Sequence, residues 1–376
     1  MSKSAKKTRK TVKKKAVSRK KAEPKKKKSQ LMAGVQYPSS EKTPETFPSI
    51  KRGREIYYIT RAEIESLGYQ TSELLELVRL ALSEHGQKRY EMPPKIGLHP
   101  IKDTLMHAMP AFVPRAGACG IKWAYCFPEN YKYGLSQTSG LLMLNDIQTG
   151  WPVAIMDAIW ITAKRTPLVT SLAVEKLARK NSTEVGILGC GVQGREHVPA
   201  LAQVMPALKK VKVLDKFPES AERLVRDYSG KYPFEIVVAK DVEELVRNSD
   251  VVVTATAILQ KPNPLIKDSW IKKGAFLAPI DFDSVFEWKT MKRADKFLVD
   301  SLDEMEYFMQ VGYLANGLPK LHAEIGEVVA GLKPGRENDN ELIMDMNIGM
   351  GVEDVVLAQD ILKRAQARGV GRMLPL

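Results

Sequence analysis

The sequence predicts an α/β protein: a doubly wound domain built on a parallel sheet, joined to a discontinuous α+β domain that the chain enters twice. Three observations carry this. From residue 183 onward, short Val/Ile/Leu-rich runs alternate with helical patterns, as a parallel sheet buried on both faces requires. Between residues 55 and 157 the strand-like runs instead follow one another through short turns. After about residue 320 the pattern turns helical and closes on "GVEDVVLAQDILKRAQARG", a stretch expected to pack back on the first domain.

Taken in order, "REIYYITRAEIESLG" reads as a strand and then an amphipathic helix with Thr60 as its N-cap, and "SELLELVRLALSEHGQ" has helical spacing. The pieces around "KIGLHP", "TLMHAMPAFV" and "CGIKWAYCF" read as strands, and "GLLMLND" pairs with "WPVAIMD" across "IQTG" as a hairpin. Residues 158–180 form a long helical pattern in which Pro167 marks a kink or the start of a new helix. Strand–helix pairs follow: "EVGILG" with a helix from Gln193, "KVKVLD" with "PESAERLVRDYS", and "FEIVVA" with "DVEELVRNS". The strands "DVVVTAT", "AFLAPID" and "KFLVDS" come next.

The 376 residues, 44% apolar and 27% charged, suffice for two cores. No apolar run reaches the roughly 20 residues of a membrane span, and no hydrophobic stretch near the N-terminus resembles a secretory signal. Cys119, Cys126 and Cys190 are too few and too irregularly spaced for a disulfide framework or a zinc site. No metal is expected, and a reducing cytoplasm is. The net charge of +14 is confined to the first 30 residues, where 15 Lys/Arg face Glu23 alone; the rest of the chain is neutral. That tail lacks the apolar residues that offset ordering entropy and is expected to be disordered. It is either an arm for nucleic acid or an anionic surface, through residues 1–30 only, or a solvated extension.

The stretch "VGILGCGVQGREHVPAL" (185–201) places G-x-G-x-x-G between a strand and a helix. Gly189 permits the tight turn, Gly191 lets the backbone approach a pyrophosphate, and Gly194 lets helix and strand pack closely. The helix N-terminus then offers free N–H groups to the phosphates. Asp215 ends the next strand, where a carboxylate accepts the adenosine ribose hydroxyls and repels a 2′-phosphate. The motif thus predicts a Rossmann-type dinucleotide domain that favours NAD(H); Lys216, which tolerates a phosphate, keeps NADP(H) as the alternative. Thr254, Ala255 and Thr256 in "VTAT" line the cofactor in this reading, or are merely buried strand residues. A dinucleotide without metal or flavin signatures implies hydride transfer.

Several separate stretches resemble the ornithine cyclodeaminase/μ-crystallin family over about residues 55–372. These are "MPAF" with "GIKW", "LLMLNDIQTGWPVAIMDAIWITAKRT", "ILGCGVQG", and "GLKPGR" followed by "NIGMGVEDVVLAQ". The resemblance implies a substrate-binding and dimerisation domain over residues 55–170 and 340–376 and a dinucleotide domain over 171–339. Ahead of these lie the tail (1–34) and a linker (35–54). It also implies a homodimer and chemistry at the imine of an α-amino acid. Lys122 and Arg165 match the family's substrate-carboxylate positions, with Lys122 also counted as catalytic. Lys95 falls where an arginine is common, keeping the charge but losing the fork. Asp281 matches the catalytic aspartate, positioned to stabilise an iminium or relay a proton, with Asp283 as its rival. Val192, Gln193, Thr166 and the segment Asn347, Ile348 and Gly349 are implied at the cofactor.

The chain departs from the ornithine pattern at His107, where cyclodeaminases carry a glutamate that contacts a second amine. Imidazole is a poor partner for ammonium, so His107 holds a carboxylate or polar side chain, or is an ordinary core residue. The favoured activity is an NAD-linked imine or ketimine reductase or amino-acid dehydrogenase. The alternatives are an ornithine cyclodeaminase that forms proline and ammonia with catalytic NAD, and a non-catalytic dinucleotide binder tethered by the tail.

Overall fold

The computed structural model describes residues 50–102 and 104–376. The expectations for the basic tail lie outside them.

The first half of the chain builds a seven-stranded sheet. Strand β1 (Glu55–Ile59) leads into helices α1 (Arg61–Ser66) and α2 (Thr71–Gly86), followed by β2 (Ile96–Leu98), β3 (Leu105–Val113), β4 (Ala118–Cys126), β5 (Thr138–Asn145) and β6 (Pro152–Asp157). Thr60 caps α1 as expected: its hydroxyl accepts the Glu63 amide while the Glu63 carboxylate accepts the Thr60 amide at 2.7 Å. The β5–β6 hairpin forms as expected, its turn pinned by buried Asp146, which accepts the Gln148 and Thr149 amides.

Helix α3 (Ile159–Leu177) leads to the second layer: β7 (Glu184–Leu188), α4 (Val192–Val204), β8 (Lys210–Leu214), α5 (Pro218–Tyr228), β9 (Glu235–Val238), α6 (Val242–Val246), β10 (Val251–Thr254) and β11 (Phe276–Pro279). Then come α7 (Trp288–Lys292), β12 (Lys296–Val299), α8 (Leu302–Gln310), β13 (Leu321–Glu324), α9 (Ile325–Val329), β14 (Ile343–Met346), α10 (Gly351–Arg368) and β15 (Arg372–Pro375). The second sheet is parallel throughout, in the order β13-β12-β14-β11-β10-β7-β8-β9. Every residue of β10, β11, β12 and β14 is buried, which explains their near-continuous apolar runs. The first sheet runs β15-β1-β6-β5-β4-β3-β2, antiparallel except where β1 meets β6. Helix α10 packs on β3, β4 and β5 and against α2, as its apolar spacing predicted.

Four features differ from the expectation. Residues beyond 320 are not simply helical: β13 and β14 are strands, and β14 lies between β11 and β12. "IMDM" is short and carries an aspartate, so it does not read as a central strand. Its membership of the parallel sheet puts residues 343–346 with the dinucleotide half, past the expected boundary at 340. Helix α3 runs unbroken through Pro167 and across the boundary expected at 170, because 14 of its 19 residues are buried and packing outweighs one missing hydrogen bond. Finally, β15 pairs with β1, a terminal strand that the sequence pattern did not reveal.

Candidate active site

The glycine loop joins β7 to α4 at the carboxyl end of the parallel sheet, where ligands bind in such folds. Gly189 has φ +99, and a Cβ there would lie 2.4 Å from the Ala255 carbonyl oxygen; one at Gly194 would lie 1.8 Å from that of Gly189. Both glycines are therefore required by the protein's own packing. A Cβ at Gly191 would meet nothing within 4 Å, so this side of the loop is open at the N-terminus of α4, whose first amides lack intrahelical partners. That arrangement fits a pyrophosphate. Asp215 stands at the end of β8 and accepts the Cys190 amide at 2.6 Å and the Phe217 amide at 2.8 Å. It thus braces the loop while each oxygen keeps a lone pair for a ribose hydroxyl. Val192 is exposed, as are Lys216 and Phe217, whose ring lies under the Lys216 ammonium.

Asp281 follows β11 and is fully buried. The hydroxyls of Thr254 and Thr256 donate to its two oxygens, and the Thr256 amide donates at 3.1 Å. Burial pushes its carboxyl up, and these donors pull it only part of the way back. The threonines expected at the cofactor therefore hold the aspartate. Its rival Asp283 is also buried, with no hydrogen-bond partner for either oxygen among the described residues, and burial raises it too.

The three expected cations are all buried and come together from separate elements. Lys122 of β4 lies 2.6 Å from the Asp354 carboxylate and donates to the Thr162 hydroxyl at 3.3 Å. Burial draws its ammonium down to about 8, against the opposing pull of Asp354. Arg165 of α3 reaches Asp354 at 3.5 Å and Glu353 at 3.7 Å, and donates to the Ile348 carbonyl at 3.2 Å. Lys95 donates to the Gly349 carbonyl at 3.1 Å and lies 3.5 Å from Glu304. The segment 347–349 is fastened from its other side by Asp300, which accepts the Ile348 amide at 2.7 Å and the Gly349 amide at 2.5 Å. Gly349 adopts φ +94, and a Cβ there would lie 1.5 Å from Arg165 Nη1. The Asn347 amide group donates to Asp345.

Two of these carboxyls, Asp345 and Glu353, are pushed to about 8 by burial. The carboxylates Asp300, Glu304, Asp345, Glu353 and Asp354 were not singled out from the sequence. One signal was available: β8, β11 and β12 each run into an aspartate (Asp215, Asp281, Asp300) at the sheet's carboxyl end.

Thr162 links the two regions. Its carbonyl accepts the Gln193 side chain from the glycine loop at 3.3 Å, and its hydroxyl accepts Lys122. Thr166, expected at the cofactor, is buried in α3 and donates its hydroxyl to the Thr162 carbonyl at 3.1 Å. His107 is buried against Tyr307 and Phe308, and burial draws its imidazole down to about 3, with Lys95, His99 and Lys122 adding to the effect. Among the described residues no His/Cys/Asp/Glu group has the makings of a metal site, and no helix is long and apolar enough to cross a membrane.

Residues 56–369 match the model of the ornithine cyclodeaminase/mu-crystallin family. The chain is 32% identical over 339 residues to the N-((2S)-2-amino-2-carboxyethyl)-L-glutamate dehydrogenase of Staphylococcus aureus, covering 86% of this chain and 99% of that protein. Among solved structures, the Delta(1)-pyrroline-2-carboxylate reductase of Thermococcus litoralis, in complex with NADH and L-proline, is 29% identical, with a TM-score of 0.76 over 84% of this chain and 99% of that one. An archaeal alanine dehydrogenase dimer with bound NAD is 31% identical, with a TM-score of 0.75 over 85% and 99% of the two chains. With its glycine loop, strand-end aspartates and buried cations inside a match spanning nearly all the described residues, the chain belongs to the ornithine cyclodeaminase/mu-crystallin family.

Proposed function

We propose that this protein is an NAD(H)-dependent oxidoreductase acting on an α-amino acid and its imine, as an imine or ketimine reductase or an amino-acid dehydrogenase. The observation that carries this reading is Thr162, which bonds to the dinucleotide loop through Gln193 and to the cation cluster through Lys122. The loop that would seat the pyrophosphate and the cations that would hold a substrate carboxylate are thereby tied to one residue of α3. NAD(H) is favoured over NADP(H) by Asp215, whose charge opposes a 2′-phosphate, and by the NADH and NAD present in the two related structures. When bound, the nicotinamide supplies or accepts the hydride.

The chain's own residues do the rest. Arg165 and Lys122 grip the substrate carboxylate, and Lys95 adds positive charge beside them, fixing the Cα for transfer. Asp281, whose carboxyl is raised by burial and accepts from Thr254 and Thr256, is the group placed to relay a proton to the imine nitrogen or to stabilise an iminium. A neutral His107 beside Lys95 and Lys122 offers no seat for a second ammonium group, which disfavours the cyclodeaminase reading.

Strand alternation leaves Ile96, Leu98, Trp123 and Leu141 exposed on the sheet face opposite Lys122 and Leu142. That apolar face suits a second copy of this chain, and light scattering should give about twice 42.0 kDa.

The test is NADH oxidation with pyruvate or glyoxylate plus ammonia or methylamine, and with cyclic ketimines. L-Ornithine plus NAD⁺ is run in parallel for proline without net NADH. Asp281→Asn is expected to lower kcat by about 10² to 10⁴ while leaving NADH binding intact, and Arg165→Ala to raise KM. No turnover of any substrate alongside tight NADH binding would establish a non-catalytic binder instead.

A further inference from the structure

The two cations that would grip a substrate carboxylate are already spanned by a carboxylate of the protein itself. Asp354 lies 2.6 Å from the Lys122 ammonium through one oxygen and 3.5 Å from Arg165 Nε through the other, and all three side chains are buried. The first turn of α10 builds this bridge. Gly351 opens the helix and lets it press onto β3: a Cβ there would lie 3.1 Å from both the Met109 carbonyl oxygen and the Ala111 Cβ. Met109 pairs with Lys122 on β4, so the close approach carries Asp354 to that ammonium. Neighbouring Glu353 is engaged elsewhere. Its carboxylate accepts the Met350 amide at 3.3 Å in the capping box of α10, and burial pushes it up to about 8.

The charges facing Lys122 from every side divide unequally. Burial strips the ammonium of water, Arg165 and Lys95 repel it, and Asp354 pulls the other way, leaving it at about 8. Glu304 is shared with Lys95, Asp300 holds the 348 and 349 amides, and Glu353 lies 3.7 Å from Arg165. His107 of β3 is uncharged at neutral pH, and the Thr162 hydroxyl of α3 accepts from Lys122 without bringing charge. The bridge also leaves room for a ligand. An ammonium has three N–H donors, and those directed to Asp354 and Thr162 leave one over. Arg165 gives Nη1 to the Ile348 carbonyl and Nε to the acids, which leaves Nη2 without a partner among the described residues. One donor from each cation is what a carboxylate needs.

We infer that Asp354 is a positioning residue: it keeps Lys122 charged and in register with Arg165, so that their remaining donors take a substrate carboxylate together. It acts through the cations rather than on the reacting atoms. The inference rests on the oxidoreductase reading above and adds the residue that decides up to which pH the grip holds. Lys122 is charged below its titration point and loses its charge as pH rises through it. Removing the Asp354 charge lowers that point, so the grip fails at lower pH.

The test is the pH profile of kcat/KM for imine reduction by the full chain, read with whichever oxo acid or cyclic ketimine the wild type reduces fastest. One substrate serves all variants, so its own ionisation is common to every profile. The wild type should lose kcat/KM above about pH 8. Asp354→Asn should move that alkaline limb down by at least about 1 pH unit, a loss of about tenfold above pH 8 that is carried by KM. The NADH dissociation constant should stay within about threefold. Asp354→Glu, which keeps the charge, should hold the limb near its wild-type position. A wild type without such a limb, an Asp354→Asn limb that stays put, or an Asp354→Glu limb that moves as far as that of Asp354→Asn overturns the inference and leaves the oxidoreductase reading standing. Lys122→Met/Asp354→Leu removes both buried charges together and serves where Asp354→Asn does not fold. Because Asp354 works through Lys122, this double variant should lie within about threefold of Lys122→Met in kcat/KM, and a further tenfold loss overturns the inference. Absence of NADH oxidation by the wild type with every oxo acid and cyclic imine removes both readings.

Discussion

Replacing Gly349 by alanine tests the placement of Arg165 in the substrate grip. At φ +94 an L-residue costs about 1–2 kcal/mol in backbone strain alone. The new Cβ would sit 1.5 Å from Arg165 Nη1 and 1.9 Å from Cζ. Since ordinary contacts need about 3.5 Å, the guanidinium has to retreat by roughly 2 Å. That retreat breaks its hydrogen bond to the Ile348 carbonyl, a charge-assisted contact whose loss costs about 1.5–3 kcal/mol. The sum is about 3–5 kcal/mol, or roughly 4–7 °C in Tm for a chain of this size. A displacement of this order in a positioning group lowers kcat/KM by about 10²-fold or more. The glycine loop is untouched and only the 347–349 segment is disturbed, so NADH binding should weaken by less than kcat/KM falls. Gly331→Ala is the control: its φ is +76, but a Cβ there would meet nothing within 4 Å, so it carries the backbone cost without the collision. Calorimetry, NADH fluorescence titration and the imine-reduction assay read the three effects. A folded Gly349→Ala protein with kcat/KM within threefold of wild type would refute the placement of Arg165 at the substrate, as would Gly331→Ala losing as much.

Two further outcomes follow from the same network. Asp345 and Glu353 have carboxyls at about 8 in the fold, against about 4 when unfolded, so the folded state holds more protons between these values and its stability falls as pH rises through them. His85, His107 and His197 are lowered to about 4, 3 and 4 and act in the opposite sense, but only below their unfolded value of about 6.5. Lys122, lowered to about 8, opposes the decline only above that value. Tm should therefore fall from pH 6.5 to 8, and Glu353→Gln should shallow that slope; a Tm that rises across this window contradicts the assignment. Asp215→Ala should weaken NADH binding about tenfold, for the loss of one good set of hydrogen bonds, and narrow the preference over NADPH. If NADPH gains nothing relative to NADH, Asp215 is only a brace for the loop.

The parallel sheet was legible because its strands are buried on both faces and so announce themselves as unbroken apolar runs. The glycine loop was legible because its chemistry is local: Gly189, Gly194 and Asp215 act within some thirty residues of one another. Strand β14 escaped because its aspartate interrupts a run of only four residues, and that same aspartate is held in place by Asn347 just beyond the strand. At Pro167 the alternative of a new helix start fails for the opposite reason: a local rule about helices was overruled by the packing of nearly every face of α3.

The cations Lys95, Lys122 and Arg165 could be picked out by their resemblance to known positions, but their counter-charges could not. A buried cation needs a carboxylate, and nothing in the neighbourhood of "GIKW" or "AKRT" says which one. The answers lie far along the chain, Asp354 for Lys122 and Glu304 for Lys95, and become neighbours only when α10 and α8 close over the first sheet. Adjacent acids at the first turn of α10 look like ordinary companions of a helix dipole. What distinguishes them is that they are fully buried, which a linear pattern does not display. The substrate grip is therefore a product of chain closure rather than of any motif: Lys122 from β4 and Arg165 from α3 are held by acids contributed by the C-terminal helix. Anything that loosens α10 from β3 and β4 should release the cations before it disturbs the glycine loop, so substrate affinity should fail ahead of dinucleotide binding as the protein is destabilised.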